Sequence, residues 1–109
     1  MLTDSGRRVM LQAFLDAVVE AGWGTGGAST ATNLTNPRYT TALAKGISPD
    51  GKAYVEYAIS VPSGSYTVRE VGLFGRDQNG NRVLLLRLVR DPTVVTHPVV
   101  IRDRIEVEI

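Results

Sequence analysis

The sequence contains no cysteine and a single histidine, His97. Without cysteine there is no disulfide, no thiolate nucleophile and no cysteine-based zinc site; the absence suits an oxidising and a reducing compartment equally. With one histidine, a zinc site would have to rest on carboxylates, which is a poor donor set for that metal. A histidine base also needs a nucleophile and an orienting acid, and the chain has no G-x-S-x-G elbow. His97 precedes Pro98 at a strand entry and reads as a loop residue. Long apolar runs are missing too. The stretch Val9 to Leu15 is broken by Gln12 and has no cleavage-site pattern behind it. It falls far short of the ~18–20 apolar residues that span a bilayer, so the expectation is a soluble chain without a membrane partner. Nor is there an excess of charge of one sign: the formal net charge is +1, with acids and bases scattered. A nucleic-acid binder normally carries a basic stripe, and none is present. Of the 12 cations, ten are arginine and two are lysine. Arginine suits protein interfaces, and the codon bias of a GC-rich genome explains the ratio equally well.

What is present is enough for one domain over residues 1–109. A chain of this size buries roughly 60–70% of its unfolded surface, sufficient for a core without staples. Asp4 or Ser5 can cap a helix over about residues 5–21. Leu11, Phe14, Leu15, Val18 and Val19 recur at three- and four-residue spacings, with Arg8, Gln12, Asp16 and Glu20 opposite, and Gly22 is a natural stop. Residues 22–38 are rich in Gly, Thr, Ser, Ala and Asn and read as a long loop, a kind usually functional or mobile. A β-rich region follows over about 39–109. Lys52 to Val61 alternates, Pro62 to Ser65 is a turn, and Tyr66 to Phe74 is a strand. Asn79-Gly80 fits a two-residue hairpin turn. Arg82 to Arg90 is apolar on both faces, which predicts a central strand or one covered on both sides. The last strand carries Val99, Ile101, Asp103, Ile105, Val107 and Ile109 on one face. One helix ahead of hairpin-spaced strands gives an α+β, mainly β fold: an amphipathic helix packed on an antiparallel sheet or β-sandwich.

Few residues offer chemistry. Gly22-Trp23-Gly24-Thr25-Gly26-Gly27 satisfies G-x-G-x-x-G, but a nucleotide site needs a strand before it and a helix after it. Here a helix precedes and a polar loop follows. Asp77-Gln78-Asn79-Gly80-Asn81 opens like a calcium loop, yet Leu88 stands where the bidentate glutamate belongs. Glu56 and Glu70 form a glycosidase pair only in the sense that both exist; a solvated or salt-bridged strand face is the simpler reading. Asp103 pairs with an arginine such as Arg87, or marks an end of the strand open to water or a partner. Trp23, the sole tryptophan, is either an exposed loop anchor for a partner or folds back over the helix end. With Tyr39 it forms the candidate partner interface. No catalytic, cofactor-binding or metal site emerges.

The run Thr67-Val68-Arg69-Glu70-Val71-Gly72-Leu73-Phe74-Gly75, followed by Asp77-x-Asn79-Gly80, resembles the hairpin of the phage tail-collar fibre proteins, the attachment domains at the N-termini of tail fibres. The resemblance covers most of the chain in order: a helix, a Gly/Thr-rich loop, a segment with Thr41-Ala42-Leu43, and the hairpin, which is its specific part. It implies a structural virion protein, made in the host cytoplasm and carried in the tail, neck or baseplate. Such a protein attaches a fibre or connects tail components, as a homo-oligomer with three-fold symmetry expected. Its partners are other tail or baseplate proteins, with no enzyme activity, small-molecule substrate or nucleic acid. The chain ends at Ile109 with no shaft or receptor-binding tip following, so the expectation is a connector. The competing readings are a capsid decoration or head-fibre protein and a small carbohydrate-active enzyme.

Overall fold

The computed structural model describes all residues, 1–109. The chain runs through a helix α1 (Asp4–Ala17) and seven strands, β1 (Glu20–Gly24), β2 (Arg38–Thr40), β3 (Ala44–Ile47), β4 (Ala53–Ile59), β5 (Ser65–Arg76), β6 (Arg82–Thr96) and β7 (Ile101–Val107). Two antiparallel sheets result, in the order β2-β1-β5-β6 and β3-β4-β7. They pack face to face as a sandwich with α1 against β3, β4 and β5. The expected α+β, mainly β class is the observed one.

Alternation along the strands makes the core. Val55, Tyr57 and Ile59 point inward from β4, and Trp23, Val71 and Leu73 from the other sheet. Trp23 stacks on Tyr57 across the sandwich, with ring centroids 6.3 Å apart and planes at 11°. Offset stacking of this kind adds to the large area each ring buries. The helix contributes Leu11 and Leu15.

Three boundaries differ from expectation, each for a local reason. The helix is capped by Thr3, whose hydroxyl accepts from the Gly6 N–H at 2.9 Å, and not by Asp4 or Ser5. It stops at Ala17, because Val18 turns extended and Val19 donates to the Phe74 carbonyl. Lys45 Nζ from β3 takes the Leu15 and Val18 carbonyls at 2.7 and 2.8 Å, supplying the positive charge a helix C-terminus favours. Third, the Gly-rich segment opens as a strand: β1 is buried throughout and lies between β2 and β5. Glycine there answers to crowding. A Cβ on Gly22 would lie 2.9 Å from the Phe74 ring and 3.0 Å from the Arg38 carbonyl. The loop proper is thus residues 25–37.

The β5–β6 hairpin turns differently from the two-residue form. The Gly80 N–H donates to Asp77 O, and the Asp77 N–H donates to Asn81 O. With Gly80 at φ +80°, this is a three-residue loop closing on a left-handed glycine. The Asp77 carboxylate accepts from the Asn79 and Asn81 N–H groups, both at 2.9 Å. Those bonds hold its pKa below the ordinary aspartate range. Two bulges interrupt the pairing. Leu85 is an extra residue between Leu84 and Leu86. Further along, Arg90, Asp91 and Pro92 together oppose Arg69. Proline is tolerated there because a bulge needs no ladder donor.

Candidate interaction surface

The residues of the Glu70–Gly75 motif have identifiable structural duties. Val71 and Leu73 fill the interior. Gly72 lets β6 approach, since a Cβ would lie 2.8 Å from Leu84 Cδ1 and 3.1 Å from the Leu86 carbonyl. Phe74 lies on the outer face of its sheet, in edge contact with Tyr39 at 5.2 Å. Glu70 is fully buried. Its Oε2 accepts from the Gly26 and Thr35 N–H groups at 2.8 and 2.7 Å, and its Oε1 meets Arg87 Nε at 2.8 Å. Glu70 is therefore the post to which the 25–37 loop is tied, and a solvated role for it is ruled out. Glu56 sits on the other sheet, paired with Arg104 at 3.1 Å, so the two carboxylates are not brought together.

A second carboxylate on the same outer face, Glu20, is held by three guanidinium bonds. Arg82 binds it bidentately at 3.0 and 3.0 Å, and Arg76 adds one at 2.9 Å. The Arg82 bonds, against a smaller desolvation penalty, hold the Glu20 pKa below the ordinary glutamate range. Arg82 also lies over the Tyr39 ring, 3.7 Å from its centroid.

Asp103 finds Arg90, not Arg87. It also accepts from the Tyr57 hydroxyl at 2.6 Å. Burial, and then the Asp103 carboxylate, push the Tyr57 pKa far up, so the phenol is a permanent donor. The bulge at residues 90–92 is what lets Arg90 leave its own sheet and bridge to β7. His97 Nδ1 contacts the Val61 carbonyl at 3.1 Å, a loop contact as expected.

The two residues named from sequence as a partner interface occupy different environments. Trp23 is 3% exposed. It is a core residue of β1, so the expectation of a loop aromatic is corrected: alternation drives it inward between Gly22 and Gly24. Tyr39 is half-buried on the short edge strand β2, held between Phe74 and Arg82.

Exposed aliphatic residues occur on α1 (Val9, Met10) and at Val99 and Val100, and four lie along a single strand edge, β6. This strand was expected to be central or covered, from its two apolar faces. It is the edge of its sheet, and Leu85, Leu88, Val89 and Val94 are exposed on it. A long apolar edge strand is a ready template for pairing with another chain. Beside it, between β6 and β7, lies an open cleft of about 170 Å³ bordered by Val71, Leu88 and Ile105. Sequence reasoning found the two apolar faces but missed the exposure, because composition does not tell an edge from a centre. No protein-family model, curated protein or solved structure matches the chain.

Proposed function

We propose that this protein is a structural adaptor of a phage tail, neck or baseplate, working by protein association and not by turnover. The observation that carries the reading is the β6 edge. The longest strand of the chain leaves four aliphatic side chains and a row of unpaired backbone groups at the surface. Such a surface suits a permanent neighbour better than free solution. The resemblance of the Glu70–Gly80 hairpin to tail-collar fibre proteins supplies the setting. In this reading the protein links other tail or baseplate components, as a homo-oligomer.

Electron microscopy of the parent particle with a labelled chain tests the proposal. Density at the tail, neck or baseplate is expected. Copies spread over capsid faces would favour a decoration protein, and a particle without the chain would refute both.

A further inference from the structure

We infer that the β6 edge binds a second copy of this chain about a two-fold axis at Leu88, joining two four-stranded sheets into one of eight strands. The inference rests on reading β6 as the association surface and names its occupant.

Three observations select a second copy. The first is charge. Arg82, Arg87 and Arg90 of this strand are already neutralised by Glu20, Glu70 and Asp103. Apart from Asp91 in the bulge, which has no ion-pair partner, the edge therefore presents an electrically quiet, aliphatic strip, and its best complement is a strip of the same kind.

The second is register. The bulges at Leu85 and at Arg90–Pro92 divide β6 into regular stretches 82–84, 86–89 and 93–96, and the middle one, through Leu88 and Val89, borders the cleft. A dyad at Arg87 or Arg90 would face guanidinium to guanidinium, and one at Leu86 would set Arg82 opposite Arg90. Val89 also borders the cleft, but it shares the outward face of its register partner Glu70, so a dyad there opposes two outward-facing valines. A dyad at Leu88 sets leucine against leucine and the neutralised Arg87 against Val89. It also brings each Leu88 to the mouth of the other copy's cleft, which Val71 and Ile105 border.

The third is closure. Pairing through an isologous edge consumes that edge in both copies, and the Pro92 bulge stops the ladder from running on. The outer edges left on the joined sheet are the three-residue β2 strands. A four-residue ladder buries less than the about 800 Å² per partner of a standard interface, so the dimer is reversible and dissociates on dilution.

The absence of cysteine makes the test direct. In the Leu88→Cys protein the only thiols are at the proposed axis. Directly opposed antiparallel residues have Cα atoms about 4.5–5.5 Å apart, within the about 4.4–6.8 Å a disulfide spans. Mild oxidation should give a covalent dimer. Val94→Cys, on a more exposed site, stands four ladder steps from Leu88, so it would lie roughly 27 Å from its own copy in this register and should not cross-link. Sedimentation of the unmodified protein should show a concentration-dependent dimer, and Leu88→Asp should raise its dissociation constant by at least about tenfold. Equal cross-linking at positions 88 and 94, or a wild-type monomer at all concentrations, overturns the inference. A wild-type monomer that still enters its particle, and is excluded by Leu88→Asp, would give the edge to a foreign strand and spare the association reading. The dimer with no particle to join would leave this inference standing and remove the virion reading.

Discussion

Replacing Glu70 with alanine should be among the most damaging single changes on the outer face of either sheet, where it is fully buried under the 25–37 loop. The side chain is fully buried, and Arg87, its partner, is only 8% exposed at the side chain. Removing one member of a buried pair leaves an uncompensated charge and typically costs about 3–5 kcal/mol. Two loop N–H groups, of Gly26 and Thr35, lose a charged acceptor at the same time. Each such bond is worth about 1.5–3 kcal/mol, but the loop can swing out and hydrate its donors, so these terms do not add in full. An overall loss of about 3–5 kcal/mol is expected, a large share of the about 5–15 kcal/mol that a domain has. At roughly 5 °C per kcal/mol the melting temperature would fall by about 15–25 °C. Urea denaturation gives the free energy, and hydrogen exchange reports the loop: the Gly26 and Thr35 amides should become fast while β4 and β7 stay protected. The double variant Glu70→Gln with Arg87→Leu should recover part of the loss, because it removes the stranded charge. A Glu70→Ala protein within about 1 kcal/mol of wild type, with both amides still slow, would refute the account of this carboxylate as the loop's anchor.

Trp23→Ala deletes a core ring stacked on Tyr57 and should cost about 3–5 kcal/mol in thermal or chemical denaturation; an unchanged fold stability would return Trp23 to the surface. Gly80→Val places a β-branched residue at φ +80°, where nothing lies within 4 Å of the new Cβ. The loss is therefore backbone strain alone, about 1–3 kcal/mol, and an unshifted melt would contradict the turn. Acid should weaken the fold partly through Glu20. Its folded pKa is depressed, so its contribution is complete above the unfolded glutamate pKa and is lost as pH falls from there through the folded value. Glu20→Gln should flatten that part of a stability-against-pH curve, and an identical acid limb in the two proteins would argue against it.

The helix, the strand alternation and the hairpin could be read from the sequence because each is a local pattern: the 11, 14, 15, 18 spacing, the inward Val55-Tyr57-Ile59, and Gly80 beside Asn79. What could not be read depends on neighbours far along the chain. Gly22 and Gly24 look like loop residues, yet they are strand residues crowded by Phe74 and by Glu70 from β5. Their composition reflects tertiary contact, not flexibility. Glu70 looked like one more charged strand residue because its partners, Gly26, Thr35 and Arg87, come from a loop and another strand. Arg87 and Arg90 are three residues apart and equally plausible for Asp103. The bulge at 90–92 decides between them by turning Arg90 toward β7 while Arg87 stays with Glu70.

The same bulge links the fold to the proposed association. An apolar strand at a sheet edge invites open-ended pairing, and β6 carries enough aliphatic surface to do so. Yet its two irregularities cut the strand into regular stretches of three or four residues, 82–84, 86–89 and 93–96, and Pro92 removes a donor between the last two. The sequence that crosses Arg90 to Asp103 to hold the two sheets together thus also shortens the edge that a neighbour can use. A Pro92→Thr variant separates these roles. It restores a β-favouring residue and a backbone donor, so the ladder should lengthen. Light scattering should then show species larger than the wild-type protein forms, while urea denaturation stays within about 1 kcal/mol of wild type, because Pro92 is exposed and packs on nothing in the core. If the variant is no more prone to associate, Pro92 does not limit the edge, and the restraint on β6 must come from the side chains that flank it.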